Sequence, residues 1–471
     1  MVFSSLFFLC NFLPLSLGLY YLFKNRTYRN WLLIVISLIF YAWGEPIWIS
    51  VLLLSTFFSY FCALIAEKNR GSFKGKMSLV ISVVGNLLIL GFFKYSGFLI
   101  DNINGIIGSN IQTPDIGLPI GISFYTFKIV SYLVDVYNGE TEAQKSPFKL
   151  LLYVSLFHQL MAGPITRYRD ISEAIDNRVE TFKDFNSGVS RFIIGLGKKV
   201  ILAGTAGKVV ESFLSTDYTR LSLLGAWFGI LMFAFQLYFD FSGYSDMAIG
   251  LGSMFGFKYK ENFDYPYISK SASEFWRRWH ISLGSFFRDY VYIPLGGNRK
   301  HRIRNLFIVW ALTGLWHGAN WNFVIWGLYY FVLLLIEKAF LLKLFEKLPG
   351  LISRLYLWVA VLVGWVFFYH TDISQAFKFL GIMFGSGAKA ISSPELSIHF
   401  WNNAVFLVIS IIGCTPLISG IIKKIKGEGD GGKIIRFIEV YGKPVFNIAV
   451  LILSVIFLVG QSYSPFMYFK F

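Results

Sequence analysis

Charge-free stretches long enough to cross a bilayer recur along this chain, separated by short segments rich in Lys and Arg. Val2–Phe23, Asn30–Gly44, Pro46–Ala66, Met77–Phe93, Leu221–Phe239, Asn305–Ile336, Leu355–Tyr369, Phe400–Ile422 and Pro444–Phe469 contain no Asp, Glu, Lys or Arg. Ile116–Val134 and Leu150–Thr166 carry one ionisable residue each, Lys128 and His158. A helix crosses the hydrocarbon core with about 20 residues. Backbone groups in lipid must be satisfied within the segment, so these runs predict helices. No alternating period of two competes with them. The pattern predicts an all-α, polytopic membrane protein with roughly ten to twelve crossings. With no soluble domain and no internal repeat, it reads as a single membrane domain over residues 1–471.

The polar positions set the orientation. The first charge, Lys24, follows the first apolar run, whereas a cleavable signal carries positive charge before its core. This order predicts an external N-terminus. Lys24, Arg26 and Arg29 follow the first run, and Lys68, Arg70, Lys74 and Lys76 follow the third. Together with Asp170–Arg191, Gly250–Arg304 and Lys423–Lys443, these basic segments are expected to face the cytoplasm of a plasma-membrane protein. Lys94, Asp101 and Asp115, spread over a long segment, read as external.

Composition agrees: 55% of the 471 residues are hydrophobic and only 15% charged, against about 25% charged in soluble domains. The formal charge of +16 is positive-inside bias, not a nucleic-acid footprint. Cys10, Cys62 and Cys414 lie far apart inside apolar runs. They offer neither metal spacing nor a disulfide framework.

Chemistry is sought where the chain departs from the apolar rule, because an ionisable side chain at mid-membrane costs about 2.5–3.5 kcal/mol. Asn305–Ile336 is too long for one span and short for two. At its centre stand Gly314, His317, Gly318, Asn320 and Asn322, the composition of a helix interruption. Basic residues on both sides make the break the apex of a hairpin, with His317 deep in the membrane. Such backbone is tolerated where it is buried in protein or lines a cavity. His317 is therefore a catalytic candidate; the alternative is a histidine that merely bonds a neighbouring helix.

In Gly250–Arg304, Phe275, Trp276 and Trp279 have helical spacing with Arg277 and Arg278 between them. This predicts an interfacial amphipathic helix with aromatic anchors. Arg277 and Arg278 suit either anionic lipid headgroups or a phosphorylated donor. His280 adds little to lipid attraction and is a second candidate. Gln236 and Asp240 share a helix face, and Gly243 permits close helix approach. Asp240 stands either as an orienting group for an imidazole or as a structural partner, while Asp246 reads as structural. Leu150–Thr166, ending at Gly163-Pro164, fits a re-entrant segment, with His158 as a packing residue. His301, His370 and His399 receive no role.

At these residues the chain resembles a known family. QLMAGPITRYRD from Gln159, FDFSGYSDMAIG from Phe239, SEFWRRWHISLGSFFRDYVYIPLGGNR from Ser273 and GLWHGANWNFVIWG from Gly314 resemble the membrane-bound O-acyltransferase (MBOAT) superfamily. Within it they resemble the bacterial branch typified by the membrane subunit of alginate O-acetylation. The opening segment, GISFYTFKIVSYLVDVYNG from Gly121 and GWVFFYHTDISQAFKFLGIMFG from Gly364 extend the likeness over nearly the whole chain. The resemblance implies helices around a tunnel, His317 as the catalytic histidine of the WHG motif, and His280 as its second histidine. It also implies acetyl-CoA as donor substrate, with no bound cofactor. The acceptor it implies is a cell-surface polysaccharide, often reached through an extracellular partner resembling a serine (SGNH-type) hydrolase. Lys128 departs from the family pattern, which has an uncharged polar residue there.

An imidazole that titrates near neutrality suits removal of a hydroxyl proton, and Asn320 or Asn322 offers an oxyanion donor. D-alanyl transfer to teichoic acid from a carrier-protein thioester is the alternative on the same fold. A glycan or lipid transporter is the alternative of another class, though a transporter often has paired broken helices and the sequence displays one. Acceptor polymer, acyl chain, partner and oligomeric state are not encoded legibly.

Overall fold

The computed structural model describes residues 1–114, 116–215, 218–426 and 435–460. Asp115, positions 427–434 of the Lys423–Lys443 loop and the end of the Pro444–Phe469 run lie outside the described residues. All regular structure among the described residues is helical. The first part comprises α1 (Leu13–Leu22), α2 (Arg26–Ala42), α3 (Ile49–Lys68), α4 (Phe73–Ile107), α5 (Ile122–Asn138), α6 (Pro147–Ser155), α7 (Phe157–Leu160) and α8 (Tyr168–Asn177). The middle comprises α9 (Phe182–Gly197), α10 (Gly204–Leu214), α11 (Leu223–Met254), α12 (Ala272–Arg278), α13 (Ile281–Phe287), α14 (Arg302–His317) and α15 (Trp321–Ile336). The last part comprises α16 (Leu342–Phe345), α17 (Gly350–Tyr369), α18 (Ile373–Met383), α19 (Pro394–Asn402), α20 (Ala404–Gly413), α21 (Leu417–Lys426) and α22 (Lys443–Val459).

Helix starts follow side-chain capping. Asn25, Ser72, Thr181 and Ser222 each accept a bond from a backbone N–H three residues on, satisfying a donor that has no partner within the helix.

By length and composition, six described helices can cross a membrane, or seven if the 62° bend between α19 and α20 lies within one span. The expected ten to twelve crossings are not reached by this measure, because several apolar runs are interrupted. Val2–Phe23 contains a π-turn at Phe8–Phe12 before α1, and Leu150–Thr166 breaks at Leu156 between α6 and α7. Met77–Phe93, conversely, is only part of the 35-residue α4. Lys94 and Asp101 are accordingly within that helix and not in an external loop. The apolar environment did not end at Lys94 because its ammonium has a partner inside the protein, described below.

Two buried apolar clusters fill the bundle, one around α2, α5, α6 and α7 and one around α12, α14, α15 and α17. The long α11 joins them: Phe233 and Phe239 belong to the second, Tyr244 and Met247 to the first. It packs on α9 at backbone distance, since a Cβ on Gly243 would sit 2.7 Å from the Gly195 carbonyl oxygen. That is the close approach expected of Gly243. Deep in this region Lys199 pairs with Asp240, while Asp246 binds Arg191 at 2.8 Å and Lys198 at 2.7 Å.

The basic segments meet at one end of the bundle. Glu180 takes Arg26 at 2.6 Å and Arg29 at 2.8 Å, Lys145 pairs with Glu67, Arg167 with Asp289, and Lys260 with Asp170 at 2.6 Å. All the segments expected on one side that carry these residues are thus stitched together. Met1, beside Gly44, and the 108–121 connection belong to the other end.

Candidate active site

The interruption expected between Gly314 and Asn322 is present. α14 ends at His317, Gly318 is extended (φ −168°, ψ 154°), and α15 starts from an extended Asn320. The two helices fold back as a hairpin with their backbones in contact. A Cβ on Gly314 would lie 2.4 Å from the Phe323 carbonyl oxygen, and one on Gly327 2.5 Å from that of Trp310. α14 has 16 residues, so its end lies about 24 Å from its start at 1.5 Å per residue. Asn322 fastens the apex to α17 by donating to the Phe367 carbonyl at 3.1 Å.

His317 is 4% exposed. Its ring contacts Trp326 of α15 (centroids 4.9 Å apart) and Phe368 of α17 (5.3 Å), both edge-on. His317 also lines a cavity of about 90 Å³ whose other walls are Lys94, residues 118–124, Met161 and Trp316. The cavity therefore adjoins the 108–121 connection, at the end of the bundle away from the ion-paired basic segments.

His280 approaches from the basic end. The aromatic residues before it are not lipid anchors: Phe275 and Trp279 are at most 1% exposed. Trp279 lies 5.1 Å from Trp365, and Trp276 lies 4.9 Å from Tyr330 and 5.1 Å from Trp310. The amphipathic pattern is real, but its apolar face meets the aromatic faces of α14, α15 and α17. Nor is the helix continuous. It breaks at His280, which adopts a left-handed conformation (φ 47°, ψ 53°) between α12 and α13. That conformation is uncommon outside glycine and costs on the order of 1–3 kcal/mol unless its surroundings enforce it. Asn262 enforces it from below, accepting from the backbone N–H of Ser282 at 3.1 Å and its hydroxyl at 2.9 Å. Ile281 N–H donates to the Asn262 carbonyl at 3.0 Å.

Between the two histidines stands Trp316. Its indole centroid is 5.8 Å from the His280 ring and 5.0 Å from the His317 ring. A motif from one part of the chain and a motif from another are thus joined through a single side chain.

A family model described as the membrane-bound O-acyltransferase family, MBOAT, matches residues 6–371. The chain belongs to this family. It is a multi-pass membrane acyltransferase. Over the whole length of both chains it is 40% identical to a probable alginate O-acetylase of Azotobacter vinelandii and 38% identical to one of Pseudomonas putida. It is 34% identical to a peptidoglycan O-acetyltransferase of Helicobacter pylori, over 82% of this chain and 80% of that one.

The MBOAT histidines, His280 and His317, are the sequence-derived candidates that the fold brings together. Arg278 is held by Asp264 (2.9 Å) and Glu274 (3.0 Å). Arg277 is exposed and bonds only a backbone carbonyl, that of Ser273, among the described residues. Asn320 caps α15, Asn322 is turned to α17, and Asp240 is paired with Lys199. His158 bonds Tyr259 at 2.9 Å, as a packing histidine should.

Two residues of this MBOAT site escaped the sequence reading. Glu337, fully buried, accepts from the first N–H groups of α12, Ala272 at 2.5 Å and Ser273 at 2.8 Å. A carboxylate there complements the helix N-terminus, and it ties the end of the α14–α15 hairpin to the helix that delivers His280. The other is Lys94. Each was visible only as a lone charge ending an apolar run.

Proposed function

We propose that the protein is an O-acetyltransferase that moves acetyl from acetyl-CoA, held at the basic end, to a hydroxyl of a cell-surface polysaccharide, directly or through an extracellular partner. His317 is the base. The observation that supports this reading is the position of His317, on a cavity at the end opposite the basic segments, with His280 approaching from the basic side. Similarity to O-acetylases of two polysaccharides supports acetyl as the group transferred.

In the reaction, imidazole takes the proton of the acceptor hydroxyl while its oxygen attacks the thioester carbonyl carbon. The C–S bond then breaks, and the departing thiolate recovers that proton. Arg277, free of carboxylate partners among the described residues, suits a donor phosphate better than Arg278. The orientation that accompanies this reading has the basic end in the cytoplasm of a plasma-membrane protein and the N-terminus outside.

The test is thiol release from acetyl-CoA by the purified protein in nanodiscs, with acceptor and partner supplied, comparing wild type with His317→Ala. Loss of at least 10²-fold in a folded variant is the expected result for removal of a general base. Unchanged turnover would sink His317 as the base. An inactive wild type that instead accepts a carrier-protein thioester would redirect the reading to D-alanyl transfer.

A further inference from the structure

We propose that Lys94 is the positioning residue for the reaction, holding the end of α14, and so the His317 imidazole, at the cavity. This rests on the reading of His317 as the base. The last four carbonyls of a helix lack partners within it, and inside a bundle spanning lipid no bulk water replaces them. At the end of α14 those carbonyls belong to Gly314, Leu315, Trp316 and His317. Gly318 N–H reaches the first, at 3.4 Å. Tyr95 donates its hydroxyl to Leu315 at 2.7 Å. The Lys94 ammonium donates to Trp316 at 2.5 Å and reaches His317 at 3.4 Å.

Two adjacent side chains of α4 therefore close three of the four carbonyls, including that of the histidine itself. A cation is the right group for this place, because a helix C-terminus carries partial negative charge and an ammonium has three donors to share. Lys94 is also half-buried on the wall of the cavity that His317 lines. The clamp thus acts at the one end of α14 that faces substrate. Losing it frees the terminal turn to fray, and a misplacement of about 1 Å costs around 10²-fold in rate.

The experiment uses membrane vesicles from the producing cell, deleted for its own copy and expressing full-length variants, with radiolabelled acetyl-CoA followed into polymer-bound ester. Rates are divided by the amount of folded enzyme, measured by detergent-extracted gel filtration. Lys94→Met is expected to lower the maximal rate 10- to 100-fold while leaving KM for acetyl-CoA within threefold. Lys94→Arg, which keeps a cation and several donors, is expected to recover most of that loss, and Tyr95→Phe to cost less than tenfold. Should Lys94→Met not be recovered folded, Lys94→Gln takes its place and must fall below Lys94→Arg. A full rate per folded Lys94→Met enzyme, or Lys94→Arg no better than Lys94→Met, overturns the inference. If His317→Ala is inactive in the same vesicles while Lys94→Met is normal, only the role of Lys94 fails. Full incorporation by His317→Ala overturns both readings.

Discussion

The bundle contains two interrupted helices, and they are closed by the same device. Where α6 gives way to α7, Lys128 of α5 donates to the carbonyls of Tyr153 at 2.5 Å and Val154 at 3.3 Å, and to the Gln159 side chain at 3.2 Å. Where α14 ends, Lys94 of α4 serves two consecutive carbonyls in the same way. The surroundings differ. Lys128 is 1% exposed and walled in by packing, with the Tyr153 ring 4.7 Å from its ammonium; Lys94 borders the cavity and His317. One lysine builds scaffold, and the other sits where scaffold becomes site. The comparison also gives the departure at Lys128 a reason: an uncharged residue there would leave a broken helix end unsatisfied.

The severest disturbance would come from the hairpin that carries His317. Gly314→Val puts side-chain atoms where the Phe323 carbonyl oxygen lies 2.4 Å from even a Cβ. We expect no monodisperse protein on gel filtration. A normal yield would mean that the two backbones need not touch.

Lys128→Met comes next and separates the two clamps. It should lower the unfolding temperature in detergent by leaving buried carbonyls unpaired, at about 1–3 kcal/mol for each. The turnover per folded molecule should stay near wild type. If Lys128→Met instead impaired turnover with normal stability, the division between scaffold and site would collapse.

Glu337→Gln keeps the shape but removes the charge at the start of α12, a change of about 0.3–1 kcal/mol at an exposed helix end and up to about 2 when partly buried. Since α12 leads to His280 and not to His317, we expect a rise of a few-fold in KM for acetyl-CoA with the maximal rate little altered. Steady-state kinetics decides between that split and its reverse.

The smallest effect belongs to the basic end. Burial alone would raise the Glu180 carboxyl, but hydrogen bonds from Arg26 and Tyr20, with the charges of Arg26 and Arg29, hold it at about 2, against 4.5 ordinarily. A carboxylate with a depressed folded value stabilises fully above its unfolded value and loses that contribution as pH falls toward the folded one. Stability should therefore decline between pH 4.5 and about 2, and Glu180→Gln should flatten the decline, as followed by tryptophan fluorescence.

Much of this was legible along the chain. Gly314, Gly318 and the two asparagines announced the broken helix because their backbone and capping preferences are local. The pairing of His317 with His280 was not legible, since it depends on Trp316 reaching between segments about 40 residues apart in sequence. The break at Trp279-His280 has no Gly or Pro to signal it, being imposed by Asn262. The burial of Phe275 and Trp279 was misread because an amphipathic stripe does not distinguish lipid from an aromatic core. Lys94 was misplaced because a charge normally ends an apolar run, and here its partner lies more than 200 residues away.

An enzyme that meets one reactant on each face of a membrane risks becoming a leak. Two histidines joined by a file of water would carry protons down the gradient that the membrane exists to keep. The indole of Trp316, only 5% exposed and set between the two imidazoles, puts apolar matter in that gap. The same residue that links the two motifs is also the insulation between them.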